Sequence, residues 1–410
     1  MRAPLARPAN DEWMPNDGTE RRKPMKSRER ILKVLRGERP DRIPWMPLMY
    51  HTYFASLPEY RDKFGLQADD ITAPLDTPDQ VLEELAFRVS YTQSLGADFM
   101  DWGGISPHHT VYDAEVRFEQ VQEGDMRLDR FITPIGSISQ KHWFSRSGKT
   151  YFRSEGLLRT VEDYRVFAYA IEHSRLVPDF AVLDAFLEVI GDAGVAFVKT
   201  EAAPIKHWLL GEMMVEDLAY ALADHPAELG QLEAVAHARN LEMCRIEARS
   251  RAQVFEDFAV TGTGMISPAI YRDHYLQFHK ECARILHAGG KVFLDHTSGE
   301  PLRGIVHMVA ESEVDGLYGL SLPEFGHGDM TLAELRAVMG PRVTLFASME
   351  PHLLATGTMQ EVQEAAKRVL DLCAEVGGPL ILGTADDTPF GAPPANIAAV
   401  SEVVERYGRI

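Results

Sequence analysis

The 410-residue sequence predicts a (β/α)8 barrel of the TIM type, and three observations carry that expectation. Short apolar runs alternate with longer amphipathic stretches, which implies parallel strands joined by helices. Eight such runs can be counted, and their total length suits one barrel domain. No GxGxxG follows the first run, which disfavours the competing doubly wound open sheet.

The elements follow in order. Residues 1–26 are rich in Pro, Arg, Asp and Glu with hardly any apolar periodicity, so nothing offsets the entropy of ordering them. They read as a disordered leader or an added extension, and residues 27–410 as the barrel domain. The eight runs are IPWMPL (43–48), ADFMDW (97–102), VAFVKT (195–200), QVFEDF (253–258), KVFLDH (291–296), DGLYGL (315–320), RVTLFAS (342–348) and PLILGT (379–384). Between them, ILKVLRGE, AIYRDHYLQFHKECARILHAGG and MQEVQEAAKRVLDLCAEVGG place apolar residues three and four apart, and the last two end on Gly pairs suited to a helix C-cap. From Val116 to Arg153 the pattern changes to period two with turn pairs, which predicts an antiparallel β excursion after the second strand, placed to wall or cover the barrel mouth.

Charge and composition narrow the partners. A net charge of -19 repels phosphates and argues against nucleic acid and anionic membranes, leaving a small-molecule substrate. Cys244, Cys282 and Cys373 show no CxxC spacing, so neither a disulfide framework nor a thiolate cluster is expected, and a reducing cytoplasm is the simplest compartment. No apolar run approaches a membrane span.

A parallel barrel builds its site at the C-terminal strand ends, so the polar residue after each run is a candidate. These are His51, Asp101, Glu201, Glu256 with Asp257, Asp295 with His296, Ser321 with Glu324, Glu350, and Asp386 with Asp387, a ring of carboxylates with two histidines. Strand-end Asp and Ser also cap helices, which weighs against any one of them alone. Asp257 gains weight because it precedes the Gly-rich TGTG, where glycines allow close backbone approach to a ligand; ordering that loop is the plainer use. His274, His279, His287 and His307 fall in helical stretches and are assigned to surface or packing, and His108 and His109 read as a loop pair.

Three segments together resemble the uroporphyrinogen decarboxylase-like superfamily: RERILKVLRGERPDRIPWMP, FEDFAVTGTGMISPAIYRDHYLQFHKECARILHAGGKVFLDHTSG and ILGTADDTPFGAPPANIAAVSEVVERYG. The resemblance runs from about Ser27 to Gly408 and implies a (β/α)8 barrel with its site at the C-terminal mouth. True decarboxylases of this family carry an RQAGRY-type motif after the first strand and a His in the last loop. Here MYHTYFASLPEY has no arginine before Arg61, and Ala385 stands where that His would be. Asp101 would correspond to the decarboxylase's essential aspartate.

The second branch of the superfamily holds zinc in methyltransferases that work with corrinoid proteins, through His-x-Cys-Gly after the fifth strand and a Cys in the last loop. The corresponding positions here read His296-Thr297-Ser298-Gly299 and Asp386, so both thiolates are replaced by oxygen groups. The resemblance therefore implies a divalent metal, zinc first, on His296 and Asp386, with Asp257 or Glu201 completing the shell. Asp257, Asp101 and Glu201 are the expected catalytic carboxylates, and His51, Tyr318, Glu350 and Ser298 the expected substrate contacts. The implied reaction demethylates a small substrate, with methoxylated aromatics in view, and passes the methyl group to cobalamin on a partner corrinoid protein, since no Asp-x-His-x-x-Gly signature occurs in this chain. The alternative is a carboxy-lyase, and the family implies a monomer or homodimer.

Overall fold

The structure, a computed structural model, describes residues 24–67, 70–71, 73, 75–102, 105–146 and 150–410. Each of the eight apolar runs becomes a strand. They are β1 (Trp45–Met46), β2 (Phe99–Trp102), β9 (Gly194–Thr200), β10 (Val254–Asp257), β11 (Val292–His296), β12 (Gly316–Leu320), β13 (Thr344–Met349) and β14 (Leu380–Thr384). All pairings among them are parallel, in the order β1-β14-β13-β12-β11-β10-β9-β2. The curvature brings the two outer strands together at Asp98: its amide donates to the Trp45 carbonyl at 2.8 Å, and its Oδ2 accepts from the Trp45 amide at 3.0 Å. Arg30 and Arg42 hold the same buried carboxylate at 2.6 and 2.9 Å, so the seam is closed by charge-assisted bonds rather than by a strand ladder. Gly194 is needed beside that seam, because a Cβ there would lie 1.8 Å from the Phe99 carbonyl oxygen.

The barrel interior is apolar over most of its depth. Met46, Met100, Val195, Phe197, Val254, Leu294, Tyr318, Phe346 and Ile381 pack into one cluster, which Ile31, Leu32, Val34 and Leu35 of the helix Ser27–Leu35 close from the N-terminal end. The outer strand faces pack against the helices as a second, larger core. A cluster of this kind is the filled interior of a barrel, not a pore.

The expected antiparallel excursion is present as β4 (Arg117–Glu123), β5 (Met126–Thr133), β6 (Gly136–Ser145) and β7 (Thr150–Glu155) in a four-stranded meander. Below it lies a two-stranded antiparallel pair, β3 (His108–Tyr112) with β8 (Ser174–Pro178). That pair corrects one reading: His108 and His109 sit in a strand, where Pro178 and Val177 pair with them across 66 or more residues of sequence that local patterning does not connect. The expected leader lies outside the described residues as far as residue 23. Met25 is tied down, its amide donating to Asp41 and its carbonyl accepting from Arg30, each at 2.9 Å. Among the described residues no helix is long and apolar enough to cross a membrane.

Candidate functional site at the barrel mouth

Successive residues of a strand point to opposite faces, so the parity of the packed interior fixes which strand-end residues enter the mouth. Val254 and Leu294 lie inside, and Glu256 pairs in register with Leu294 while His296 pairs with the interior Tyr318. Trp102, Lys199, Glu256 and His296 therefore continue the interior face upward. Asp101, Asp257 and Asp295 have the opposite parity and turn toward the helices.

Each carboxylate of the outward set meets a cation through one oxygen, although Asp101 Oδ2 and Asp295 Oδ2 lack a hydrogen-bond partner. Lys206, on the helix Pro204–Gly211, places its Nζ 2.8 Å from Asp257 Oδ2 and 2.9 Å from Asp295 Oδ1, with all three side chains buried. His279 adds a 2.7 Å contact to Asp257 and Thr261 donates to Asp295 at 2.6 Å. Burial alone would raise the Asp257 pKa, but Lys206 and His279 hold it at about 2. Asp257, His279 and Asp295 bring ligand atoms within 4.8 Å of one another, as a metal site would, yet the lysine already supplies the positive charge among them. Asp101 is bound by Arg88 at 2.7 Å, and Arg88 also holds Glu84 at 2.9 Å. The structure thus puts two of the three expected catalytic carboxylates, Asp101 and Asp257, behind the barrel wall. The third, Glu201, follows β9 and accepts from His207 at 2.9 Å; opposing its burial, that imidazole lowers it to about 2.

The Gly-rich loop after β10 packs on protein instead of ligand. A Cβ at Gly262 would lie 2.1 Å from Glu300 Cβ, and one at Gly264 would lie 2.0 Å from Glu300 Oε2. The glycines let the loop lie flat on the residue that follows Ser298-Gly299, and the Thr261 amide is hydrogen-bonded to the His296 carbonyl at 2.7 Å.

The inward set is under-satisfied. Both carboxyl oxygens of Glu256, the Nε2 of His296, the hydroxyl of Tyr318 and the Nε1 of Trp102 are buried without a well-formed hydrogen bond, although the Trp102 indole lies close enough to Glu256, and Thr384 to Tyr318, to interact weakly. Native interiors rarely leave so many polar atoms unpaired in one place, and such a cluster marks a ligand site. Burial raises the Glu256 pKa well above the carboxylate range, so the group stands as a neutral acid with a proton to give. Burial lowers the His296 pKa, leaving a neutral imidazole, and the 3.2 Å contact of its Nδ1 with the Phe258 carbonyl assigns the proton to Nδ1. Nε2 is then a free lone pair.

Ser298, Asp386 and Asp387 form the rim above. Ser298 adopts a left-handed φ of 45°, uncommon for a serine, and from there its Oγ donates to Asp386 Oδ2 at 2.9 Å. The turn thus joins an expected substrate contact, Ser298, to an expected metal ligand, Asp386. Burial, with Asp386 beside it, raises the Asp387 pKa to about 7. Aromatic rings wall the mouth: Trp102 stacks on Phe258 at 4.1 Å and meets Tyr50 edge-on at 5.4 Å, and Lys199 Nζ lies 5.1 Å over the Phe258 ring. His51 packs against Tyr50 at 4.0 Å, and burial lowers its pKa to about 4. Glu350 is set apart, accepting from Ser321 at 2.7 Å.

Of the expected site residues, His296, Tyr318, Ser298 and Asp386 are therefore brought together. Glu256, Trp102 and Phe258 join them and were not selected from sequence, although the alternation of VFEDF contained the signal once one interior position was known. His296 Nε2 and Asp386 offer one nitrogen and one carboxylate to a metal, and no third Asp, Glu, His or Cys joins them in a tight cluster among the described residues. Such a pair suits a hard or borderline divalent ion that fills its shell with water and substrate oxygens.

Comparison with known proteins agrees with this architecture. Residues 209–407 match the family model of uroporphyrinogen decarboxylase (URO-D). Among solved structures, a methyltransferase from Methanosarcina mazei superposes with a TM-score of 0.59 at 15% identity, covering 93% of this chain and 99% of its own. GH5_18 from Streptomyces cattleya, in complex with GlcNAc, gives a TM-score of 0.40 at 12% identity over 90% of this chain and 81% of its own. No curated protein matches the chain. The stretch 209–407, which supplies five of the eight barrel strands, is thus similar to the uroporphyrinogen decarboxylase family.

Proposed function

We propose that the protein is a cytoplasmic methyltransferase that demethylates a small methylated substrate, a methoxylated aromatic first, and passes the methyl group to a corrinoid carried by a partner protein. The observation that carries this reading is the neutral, buried Glu256, free of any ion pair, beneath an aromatic wall. Trp102 and Phe258 offer a face on which an aromatic ring can stack, and a pair of rings of this kind contributes about 0.5–1.5 kcal/mol beyond burial. Glu256 holds its proton for the departing ether oxygen, which would otherwise leave as a poorly stabilised anion. Tyr318 and the Trp102 indole N–H supply further donors to the substrate's polar groups. A divalent metal would be held by His296 Nε2 and Asp386, and it would polarise the same oxygen. The corrinoid supplies the nucleophile that receives the methyl group. Glu201, Ser298, Glu350 and His51 remain candidates for the substrate's rim contacts.

A carboxy-lyase reading is favoured by the same neutral acid, since Glu256 could protonate the carbanion left by carbon dioxide. The mouth offers Lys199 as its nearby cation, a sparse set for a substrate with many carboxylates. To test the proposal, the protein is incubated with cob(I)alamin and a panel of methoxylated aromatics, and methylcobalamin is followed by absorbance beside released carbon dioxide from the corresponding acids. Methylcobalamin that forms with wild type and falls at least a hundredfold with Glu256→Gln supports demethylation. Carbon dioxide release without cobalamin would replace it with the lyase reading.

A further inference from the structure

A second cleft lies away from the mouth, between the inserted meander and the end of the helix Pro204–Gly211. It is an open cleft of about 540 Å³, in the size range of small-molecule sites. On the face of the meander toward this cleft, the register aligns Arg127 with His142 and His142 with Arg153. Glu212 faces them from the segment after the helix, and Tyr151 and Phe152 form an exposed apolar edge.

The polar groups of this cleft are left unmatched in a specific way. Arg127 Nε and Arg153 Nη1 are buried donors without a hydrogen-bond partner, and Gln140 Oε1 and Glu212 Oε2 are buried acceptors without one. Neighbouring atoms of the same side chains are well anchored. Arg153 Nη2 donates to the Leu209 and Met213 carbonyls at 2.9 and 2.8 Å, and Gln140 Nε2 donates to Asp129 at 3.3 Å. Asp129 also lies 3.4 Å from Arg127 Nε and so offsets part of that charge. Arg153 and Gln140 are therefore fixed in place, while one functional atom of each, and of Glu212, lacks a partner; Arg127 Nε has only the long contact to Asp129. Desolvating four such groups is unfavourable unless something pairs with them.

We propose that this cleft binds a small zwitterion that carries a carboxylate and an ammonium group, an amino-acid-like ligand. Its carboxylate takes the Arg127 and Arg153 donors, its ammonium takes Glu212 and Gln140, and an apolar substituent lies along Tyr151, which shares their face of the meander. The assignment follows from the unmatched atoms: Arg153 and Glu212 stand near each other without forming an ion pair, and although Glu212 Oε1 already faces His207, its Oε2 and Arg153 Nη1 stay free, so a ligand that brings one charge of each sign pairs with both. This site is independent of the methyl-transfer reading. It shares a wall with that chemistry, however, because Glu212 Oε1 lies 3.5 Å from His207, which holds Glu201 at the end of β9.

The test is calorimetric titration of the full chain with L-phenylalanine and L-leucine, beside the one-charge analogues 3-phenylpropionate and 2-phenylethylamine. The amino acids are expected to bind, each analogue at least tenfold more weakly than L-phenylalanine. Glu212→Gln and Arg127→Gln should each weaken the amino acid at least tenfold. Arg153→Gln removes two bonds to the backbone and is interpreted only if its unfolding temperature is retained; Gln140→Leu, which also removes an unpaired acceptor, serves in its place and should weaken binding as well. The proposal is overturned if neither amino acid binds, if an analogue binds as tightly, or if the variants bind like wild type.

Discussion

Glu256 and Asp257 are neighbours in sequence and opposites in physics. Asp257, facing the helices, is paired with a buried lysine and a buried histidine and ionises at about 2. Glu256, facing the mouth, has no ion pair and only the Trp102 indole close by, and burial keeps its proton on. Asp295 and His296 repeat the contrast one strand over, with Asp295 held by Lys206 and Thr261 and His296 leaving Nε2 free. Burial is nearly complete for all four, so depth does not distinguish structure from function here. What distinguishes them is whether the fold supplies a partner: it satisfies the groups that stabilise it and withholds partners from those that meet a ligand.

Breaking the satisfied side should have the largest effect. Lys206→Met leaves two buried carboxylates facing each other, and chemical denaturation should show a loss of about 3–5 kcal/mol. A loss below about 1 kcal/mol would mean that one aspartate already carries a proton. Glu256→Gln tests the other side: turnover should fall by about 10²–10⁴ as the proton donor is removed, while the fold is retained.

Stability sharpens the same comparison. A carboxyl whose folded pKa is raised binds its proton more tightly folded than unfolded, so its contribution falls as pH rises above the unfolded value of about 4.3. Glu256→Gln should therefore raise the unfolding temperature at pH 7 and leave it little changed at pH 4, whereas an unchanged temperature at pH 7 would show that Glu256 is solvated. Glu201 has the opposite sign. Its folded pKa of about 2 contributes stability that is present above the unfolded value and is lost as pH falls toward 2. Glu201→Gln should accordingly be most destabilising near neutral pH and match wild type near pH 2, which thermal unfolding across that range would show.

The smallest expected effect concerns the His296 nitrogen beneath the rim. His296→Ala should leave stability within about 1 kcal/mol in a barrel mouth open to substrate, but elemental analysis after loading with zinc should show bound metal lost relative to wild type. Equal metal content in both would remove His296 from the ligand set.

Much of this was legible in the chain. Eight apolar runs gave the eight strands because a parallel barrel strand is buried on both faces and must read as continuous apolar sequence. The meander was legible because a sheet with one solvated face alternates. Residues 108–112 escaped because β3 pairs with a segment more than sixty residues away, and nothing local announces such a partner. Cys244 and Cys282 likewise approach to 2.9 Å as buried thiols on two helices, a proximity their spacing does not encode.

For the site, sequence alone determined the ring of strand-end polar residues. It could not choose between Glu256 and Asp257, or between Asp295 and His296, because alternation says that neighbours differ and not which one points inward. Only the closed barrel decided that. Its interior is narrow enough that Leu294, Tyr318 and Phe346 fill it, and their parity carries Glu256 and His296 into the mouth. The same closure sends Asp257 and Asp295 outward to Lys206, which sequence placed on no strand and tied to no carboxylate.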